Sequence, residues 1–439
     1  MRHQIKIVGA GLAGTEAAWQ LAERGVQVVL YEMRPVQTTD AHQTDRLAEL
    51  VCSNSLKSDQ HPSASWLLKE ELRRLDSLLL GVAEKARVPG GQALTVDRVV
   101  FAEEVTKAIE AHPRIDVRRE EITALDPVEP TILATGPLTS NALAANLTAF
   151  TGSDRLFFHD SVSPIVDAHT VDREIAFAAS RYDKSLDGTG DYLNCPFTKA
   201  QYDLFIDELM AAQAVDSHVP GDVPYFEACL PIEEIARRGR DTLRFGPMKP
   251  MGLTDPRTGR RPYAAVQLRQ ENLRADSYNL VGFQNHLKFG EQKRIMRLIP
   301  GLEKAEFLRF GQIHRNTYIN APALLTDTLQ LRAHPNIFIA GQISGVEGYV
   351  ESIATGLVAG RLAAAYLRSE CIRAFPRETA IGSLCHYISH ADSKRYQPAN
   401  IAFDLFPALE NPLRDRKERQ TEICRLAMER LGEYVGAHV

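Results

Sequence analysis

Apolar positions along the chain switch between strand-like runs and helical spacing, and the N-terminal stretch sets the pattern. Gln4 to Val8 reads as a short buried strand. Thr15 to Arg24 has helical spacing through Ala18, Leu21 and Ala22, Gly25 ends it, and Val26 to Tyr31 is a second strand ending at Glu32. Between the first strand and the helix stands Gly9-Ala10-Gly11-Leu12-Ala13-Gly14. This is G-x-G-x-x-G in the context a dinucleotide fingerprint requires, with a carboxylate roughly 20 residues on. Gly9 permits the tight turn, Gly11 lets backbone approach a pyrophosphate, and Gly14 lets the helix lie close to the strand. The helix N-terminus offers its unpaired N–H groups to the phosphates. Glu32 suits a ribose diol and repels a 2′-phosphate, so the expected ligand is FAD or NAD rather than NADP.

The rest of the chain repeats and interrupts this unit. Residues 35–65 lack clean periodicity, and Leu47 to Val51 leads into Cys52-Ser53-Asn54-Ser55. A structureless segment of this length inside a folded domain is usually functional. Trp66 to Leu80 predicts one helix, with Leu67, Leu68, Leu72, Leu75, Leu78 and Leu79 on its apolar face. Ala93 to Val100 predicts an extended segment through Asp97-Arg98, and Phe101 to Ala111 a helix. Ile115 to Arg118 and Thr131 to Leu133 predict strands, the second running into Ala134-Thr135-Gly136-Pro137. Small residues there would let a flavin cofactor lie against the strand end, although strands without a cofactor also end in Ala-Thr-Gly.

From residue 166 the character changes. Thr198 to Gln213 predicts an amphipathic helix, and Glu291 to Ile299 another. Thr242 to Phe245, Tyr263 to Leu268 and Tyr278 to Phe283 predict short strands between Pro-, Gly- and Arg-rich loops. Gly188-Thr189-Gly190 reads as a plain turn. Asn336 to Ala340 is again a buried strand, followed by Gly341-Gln342-Ile343-Ser344-Gly345-Val346-Glu347-Gly348-Tyr349 and a helix from Glu351 to Tyr366. The fold class is therefore α/β: a Rossmann-like FAD-binding domain of the glutathione-reductase type, interrupted by an α+β insertion domain. The expected divisions are 1–165 and 325–439 for the two parts of the FAD-binding domain and 166–324 for the insertion.

Composition adds little that contradicts this. The 439 residues, 44% hydrophobic and 24% charged, are those of a globular protein of about two or three domains. No apolar run approaches the roughly 20 residues of a membrane span, and the N-terminus is not a signal peptide, which predicts a cytoplasmic protein. A net charge of −5 announces no polyanion partner. The six cysteines suggest neither a disulfide framework nor a metal site.

Chemistry beyond the cofactor must come from side chains. Cys52, in its polar loop, and Cys229, in Phe226-Glu227-Ala228-Cys229-Leu230-Pro231, are candidate nucleophiles; each could equally be a small buried hydrophobe. Cys371, Cys385 and Cys424 fall in or near apolar patterns and read as structural, and Cys195 stays undecided. His42, His314 and His386 read as surface or packed histidines. The stretches 237–240, 257–261 and 414–419 are basic and would form a backbone-binding surface only if the fold gathers them.

The motifs together closely resemble a known family. Besides the glycine stretch they include Tyr31-Glu32-Met33-Arg34-Pro35, Glu49-Leu50-Val51-Cys52-Ser53-Asn54-Ser55, Leu193-Asn194-Cys195-Pro196 and Phe245-Gly246-Pro247-Met248-Lys249-Pro250. Ala134 to Ser140, Gly341 to Ser352 and Glu378 to Leu384 complete the set. They resemble the folate- and FAD-dependent tRNA uracil-5-methyltransferases nearly end to end. The resemblance implies transfer of the methylene of methylenetetrahydrofolate to C5 of the T-loop uridine in the tRNA T-arm. Reduced FAD would supply electrons, with NADH or NADPH regenerating it and no metal involved. It implies that Cys229 adds to the uracil and that Cys52 assists at the base or the flavin. The implied cofactor-binding residues are Gly9, Ala10, Gly11, Leu12, Ala13, Gly14, Glu32, Met33, Arg34, Thr135, Gly136, Gly341, Gln342, Glu347, Gly348 and Tyr349. Two departures stand out: Ala228 where the family usually has Gly, and Phe289 where it often has Trp. Rival readings are a wobble-uridine tRNA-modifying flavoprotein, a small-molecule flavin oxidoreductase, and a flavin-bound tRNA-binding protein without catalysis.

Overall fold

The computed structural model describes residues 4–39, 41–153, 156–185, 190–215, 230–311 and 313–436. Gln4–Val8 (β1), Leu12–Glu23 (α1) and Gln27–Glu32 (β2) form the predicted opening unit, the two strands pairing in parallel. A small antiparallel sheet follows, from Ser55–Ser58 (β3), Arg87–Val88 (β4) and Ala93–Val96 (β5). Around it lie Ala64–Arg74 (α2), Leu78–Lys85 (α3) and Arg98–Glu110 (α4). Ile115–Arg119 (β6), Thr131–Leu133 (β7) and Asn141–Thr151 (α5) return to the main sheet.

The chain then leaves this lobe on Leu156–Ser161 (β8) and builds a second one. Its strands are Ile165–Asp167 (β9), Phe177–Ala178 (β10), Tyr192–Phe197 (β11), Ala264–Gln270 (β12), Ser277–Leu280 (β13) and Phe307–Arg309 (β14). They pair antiparallel in the order β10-β11-β12-β13-β9-β14. Lys199–Ala211 (α6), Ile232–Arg237 (α7), Thr242–Phe245 (α8) and Phe289–Met296 (α9) accompany that sheet over a core of their own. Ile313–Tyr318 (β15) pairs antiparallel with β8 and carries the chain back. Ala321–Leu324 (α10), Ile337–Ile339 (β16), Tyr349–Leu367 (α11), Ala380–His390 (α12) and Arg416–Gly436 (α13) finish the first lobe. β16 completes an all-parallel sheet in the order β16-β7-β1-β2-β6.

Several expected elements are corrected. The single helix over 66–80 is two, because Asp76 takes a left-handed conformation (φ 55°) and Ser77 caps α3 through Leu80 N–H. Asp97, expected in an extended segment, caps α4 by accepting from the N–H groups of Val99 and Val100. Thr242 to Phe245 is a short helix rather than a strand. Tyr349–Leu367, contrary to the hydropathy reading, is long and apolar enough to cross a membrane, but 78% of its apolar window is buried in the core. Gly188 and Thr189 lie outside the described residues.

The two βα units meet through α1 and α11. A Cβ on Gly356 would stand 2.3 Å from the Ala13 carbonyl oxygen, and one on Gly360 would stand 2.7 Å from that of Ala17. Only hydrogen at these positions allows the backbones so close. Gly356→Ala is expected to lower the free energy of unfolding by about 2 kcal/mol through overpacking. Gly81→Ala, in open space on α3, is expected to raise it by up to about 1 kcal/mol. Denaturant unfolding of both variants measures the difference.

Candidate functional site

A cleft of about 990 Å³ opens at the carboxyl ends of β1, β2, β7 and β16. Open parallel sheets bind ligands at such a place, where strand order reverses. Of the residues expected to bind a cofactor, Gly9, Ala10, Gly11, Leu12, Ala13, Glu32, Met33, Arg34, Thr135, Gly136, Gly341, Gln342 and Tyr349 line it. Gly14 lies beneath, where a Cβ would meet the Gly9 carbonyl oxygen at 1.8 Å. Gly9 itself has φ 96° and would strike the Ala134–Thr135 backbone. Glu347 does not line the cleft but accepts a hydrogen bond from Gln342 Nε2. Gly348, at φ 119°, precedes α11 and leaves room for Glu351 and Lys57 behind it.

Both helices arrive without side-chain caps, at Gly11 for α1 and Gly348 for α11, and α1 has no acidic residue in its first turn. Their first N–H groups are thus left for a ligand. Glu32 Oε2 accepts from Ala10 N–H (3.2 Å) and Oε1 accepts from Arg34 Nε (2.8 Å). Burial opposes the charged form of Glu32, but the bonds and charge of Arg34 outweigh it and hold the carboxyl below its ordinary range. Arg34 also binds Glu49 (3.1 Å) and the Thr44 carbonyl (3.0 Å), so it braces the cleft wall and leaves Glu32 as the anionic acceptor. His42 lines the cleft too, with Nδ1 2.6 Å from Thr39 Oγ1. His386 instead stacks on His390 at 4.2 Å in α12.

Cys52 follows Val51, which lines the cleft, and its loop hangs on Tyr349. The backbone N–H groups of Cys52 and Ser53 donate to the Tyr349 hydroxyl at 2.9 and 3.0 Å. Burial pushes the Tyr349 phenol well above its ordinary range, so it stays neutral. Three arginines hold the same loop. Arg98 donates to the Leu50 carbonyl (3.1 Å) and pairs with Glu271 (2.6 Å). Arg309 donates to the carbonyls of Val51 (3.0 Å) and Ala41 (3.2 Å). Arg269 donates to Asn54 Oδ1 (2.8 Å) and Ser53 Oγ (3.2 Å). Sequence reasoning missed these residues, though Arg269 and Glu271 at an otherwise apolar strand were a visible signal. It also missed Lys69, fully buried on the carbonyls of Leu56, Ser58 and Ser65, where burial pulls its ammonium down to about 8. Lys57, on β3, pairs with the buried Glu351 at 2.7 Å.

Cys229, Ala228 and the side chain of His314 lie outside the described residues. On either side of the stretch that holds Cys229, Val215 N–H donates to the His286 carbonyl and Ile232 N–H to that of Gln284, both at 2.8 Å. Glu233 accepts from His286 N–H at 2.6 Å, and burial pushes its carboxyl up to about 7. Phe289 opens α9, 58% exposed, with its ring 5.6 Å from Phe310. Cys195 is fully buried in the second core and burial pushes its thiol up, so it is a packing residue. Cys385 and Cys424 are buried as expected, whereas Cys371 is exposed. Two of the basic stretches carry acidic partners of their own, Arg240 and Arg257 being held by aspartates of the second lobe, and α13 packs on α2.

The residues fit an FAD: a cleft lined from Glu32 and Arg34 past the Gly9–Ala13 turn to Gly341 and Tyr349, glycines where a Cβ would obstruct it, uncapped helix N-termini for the pyrophosphate, and a charged Glu32 for a ribose. Fold and site define an FAD-binding Rossmann-type α/β protein with an insertion. The chain matches the family model of glucose inhibited division protein A over residues 4–371 and belongs to that family. It is 67% identical to methylenetetrahydrofolate--tRNA-(uracil-5-)-methyltransferase TrmFO of Solibacter usitatus, covering 99% of both chains. It is 61% identical to the protein of the same name from Koribacter versatilis, over 98% of this chain and 97% of that one. Among solved structures, Aquifex aeolicus GidA aligns with a TM-score of 0.70 at 15% identity, covering 98% of this chain and 74% of that chain, a likeness of fold.

The raised carboxyl of Glu233 has a measurable consequence. Its proton is held more tightly in the folded chain than in the unfolded one, so stability falls as pH rises from the ordinary carboxyl range to about 7. Glu233→Gln keeps an acceptor for His286 N–H and removes the titration. The variant is expected to lose less stability between about pH 4.5 and 7 than the parent, by on the order of 2 kcal/mol, in denaturant unfolding at both pH values.

Proposed function

We propose that the chain is a methylenetetrahydrofolate-dependent tRNA uracil-5-methyltransferase that makes 5-methyluridine at the T-loop uridine. On this reading, residues 1–165 and 325–439 form the flavin domain and 166–324 an insertion that helps present folate and the tRNA T-arm. The observation that carries the proposal is the Cys52 loop, hung on Tyr349 at the edge of a dinucleotide cleft. Near-full-length identity to relatives named for this reaction supports it.

The chemistry asks for two cysteines in different roles. Uracil C5 is a poor nucleophile. Addition of the Cys229 thiolate at C6 shifts electron density to C5, which attacks the folate methylene as its C–N bond breaks. Cys52 then takes the C5 proton as the second C–N bond to folate breaks, leaving an exocyclic methylene at C5, and the Cys229 thiolate leaves C6 as that methylene is reduced and the C5–C6 double bond returns. Reduced FAD, when bound, supplies the two electrons that convert the transferred methylene to methyl, and NADH or NADPH renews it. Glu32 anchors the ribose end of the cofactor, and the α1 N-terminus the pyrophosphate. The exposed Phe289 ring offers a stacking surface for the pteridine or a base.

The test is methyl transfer to an unmodified tRNA transcript with methylenetetrahydrofolate and NADH, by the cysteine variants. Cys229→Ala is expected to abolish transfer, and Cys52→Ala to slow it by about 10²–10⁴-fold, both with flavin retained. Full activity of Cys229→Ala overturns the assigned roles.

A further inference from the structure

We infer that Arg98, Arg269 and Arg309 form a cationic cradle, assembled from both lobes, that holds Cys52 as a thiolate. The inference builds on the proposed role of Cys52, since only the thiolate can take a proton from C5. The three guanidiniums bind the residues on either side of it: the carbonyls of Leu50 and Val51 and the hydroxyl of Ser53. Arg98 comes from α4 of the first lobe, Arg269 and Arg309 from β12 and β14 of the second. The charges around the loop do not balance. Three guanidiniums share two carboxylates: Glu271 pairs with Arg98 and also acts on Arg269, and Glu49, itself held by Arg34, acts on Arg309, but no carboxylate among the described residues comes within ion-pair distance of Arg269 or Arg309.

The other charged groups facing the loop are engaged elsewhere. Glu49 is bound by Arg34, Lys57 pairs with Glu351, and the Tyr349 phenol stays neutral. Arginine cannot shed its proton, so two partly or wholly buried cations need a counter-charge. Each guanidinium is near enough to feel charge on Cys52. A thiolate there supplies the missing negative charge, and cations around a cysteine favour that form. Docking of the second lobe thereby prepares a residue of the first.

Alkylation of the purified flavoprotein by iodoacetamide, read residue by residue from peptide masses, tests this without tRNA or folate. It therefore succeeds or fails independently of the proposed reaction. Free cysteine alkylated alongside is the reference. Between about pH 6.5 and 8.5 the rate of that free thiol is expected to rise more than tenfold, and the Cys52 rate less than about threefold. Arg309→Gln and Arg269→Gln should each make the Cys52 profile steep, whereas Arg309→Lys should keep it flat. Flavin content checks folding, and Arg309→Gln, whose side chain is only half-buried, carries the test where Arg269→Gln fails to fold. A steep Cys52 profile in the parent protein, or no reaction at Cys52 at all, overturns the inference.

Discussion

The contact on which the rest depends is the backbone approach of α1 to α11. Gly356 and Gly360 lie so close to Ala13 and Ala17 that no Cβ fits between them. That approach sets two uncapped helix N-termini, more than three hundred residues apart in sequence, on one cleft. Two partial charges and two sets of open N–H groups then face the same space, which one helix alone could not provide. The parallel sheet supplies the geometry, since β1, β2, β7 and β16 all end at that cleft, and α11 follows the insertion in the chain.

The second lobe completes the site by reaching into the first. Arg269 and Arg309 grip the Cys52 loop from β12 and β14, and Asn54 answers by donating to the Gln270 carbonyl at 2.9 Å. Tyr349, at the start of α11, holds the same loop from the other direction. The loop has little regular structure of its own, so its conformation is set by these long-range bonds. A cysteine placed in this way takes its surroundings from the docking of the lobes, with three arginines gathered around its loop.

The opening βα unit, the Ala134-Thr135-Gly136 strand end and the returning unit at Gly341 were legible because each is a local rule: a run, a turn and a helix in fixed order. The break at Asp76 was not, because a continuous leucine stripe hides one left-handed residue that Ser77 makes tolerable by capping and by donating to Glu16. Asp97 read as extended because a cap is indistinguishable from a strand end until the N–H groups it accepts from are known. The arginine cradle was illegible for a deeper reason. Arg98, Arg269 and Arg309 are far apart in sequence, and although Arg269 beside Glu271 was a local signal, nothing relates the three until the two lobes meet. Whether the basic stretches gather was open on the same ground, since sequence proximity to other charges says nothing of which lobe a helix packs on.

The central claim is that the cleft and its cysteine loop serve carbon transfer from folate to tRNA. The most direct measurement supplies methylenetetrahydrofolate labelled at the methylene carbon, unlabelled S-adenosylmethionine and NADH, then weighs the T-loop fragment of an unmodified transcript. The account predicts one added methyl bearing the label, formed only with reductant present. An unlabelled methyl, or none, would contradict it.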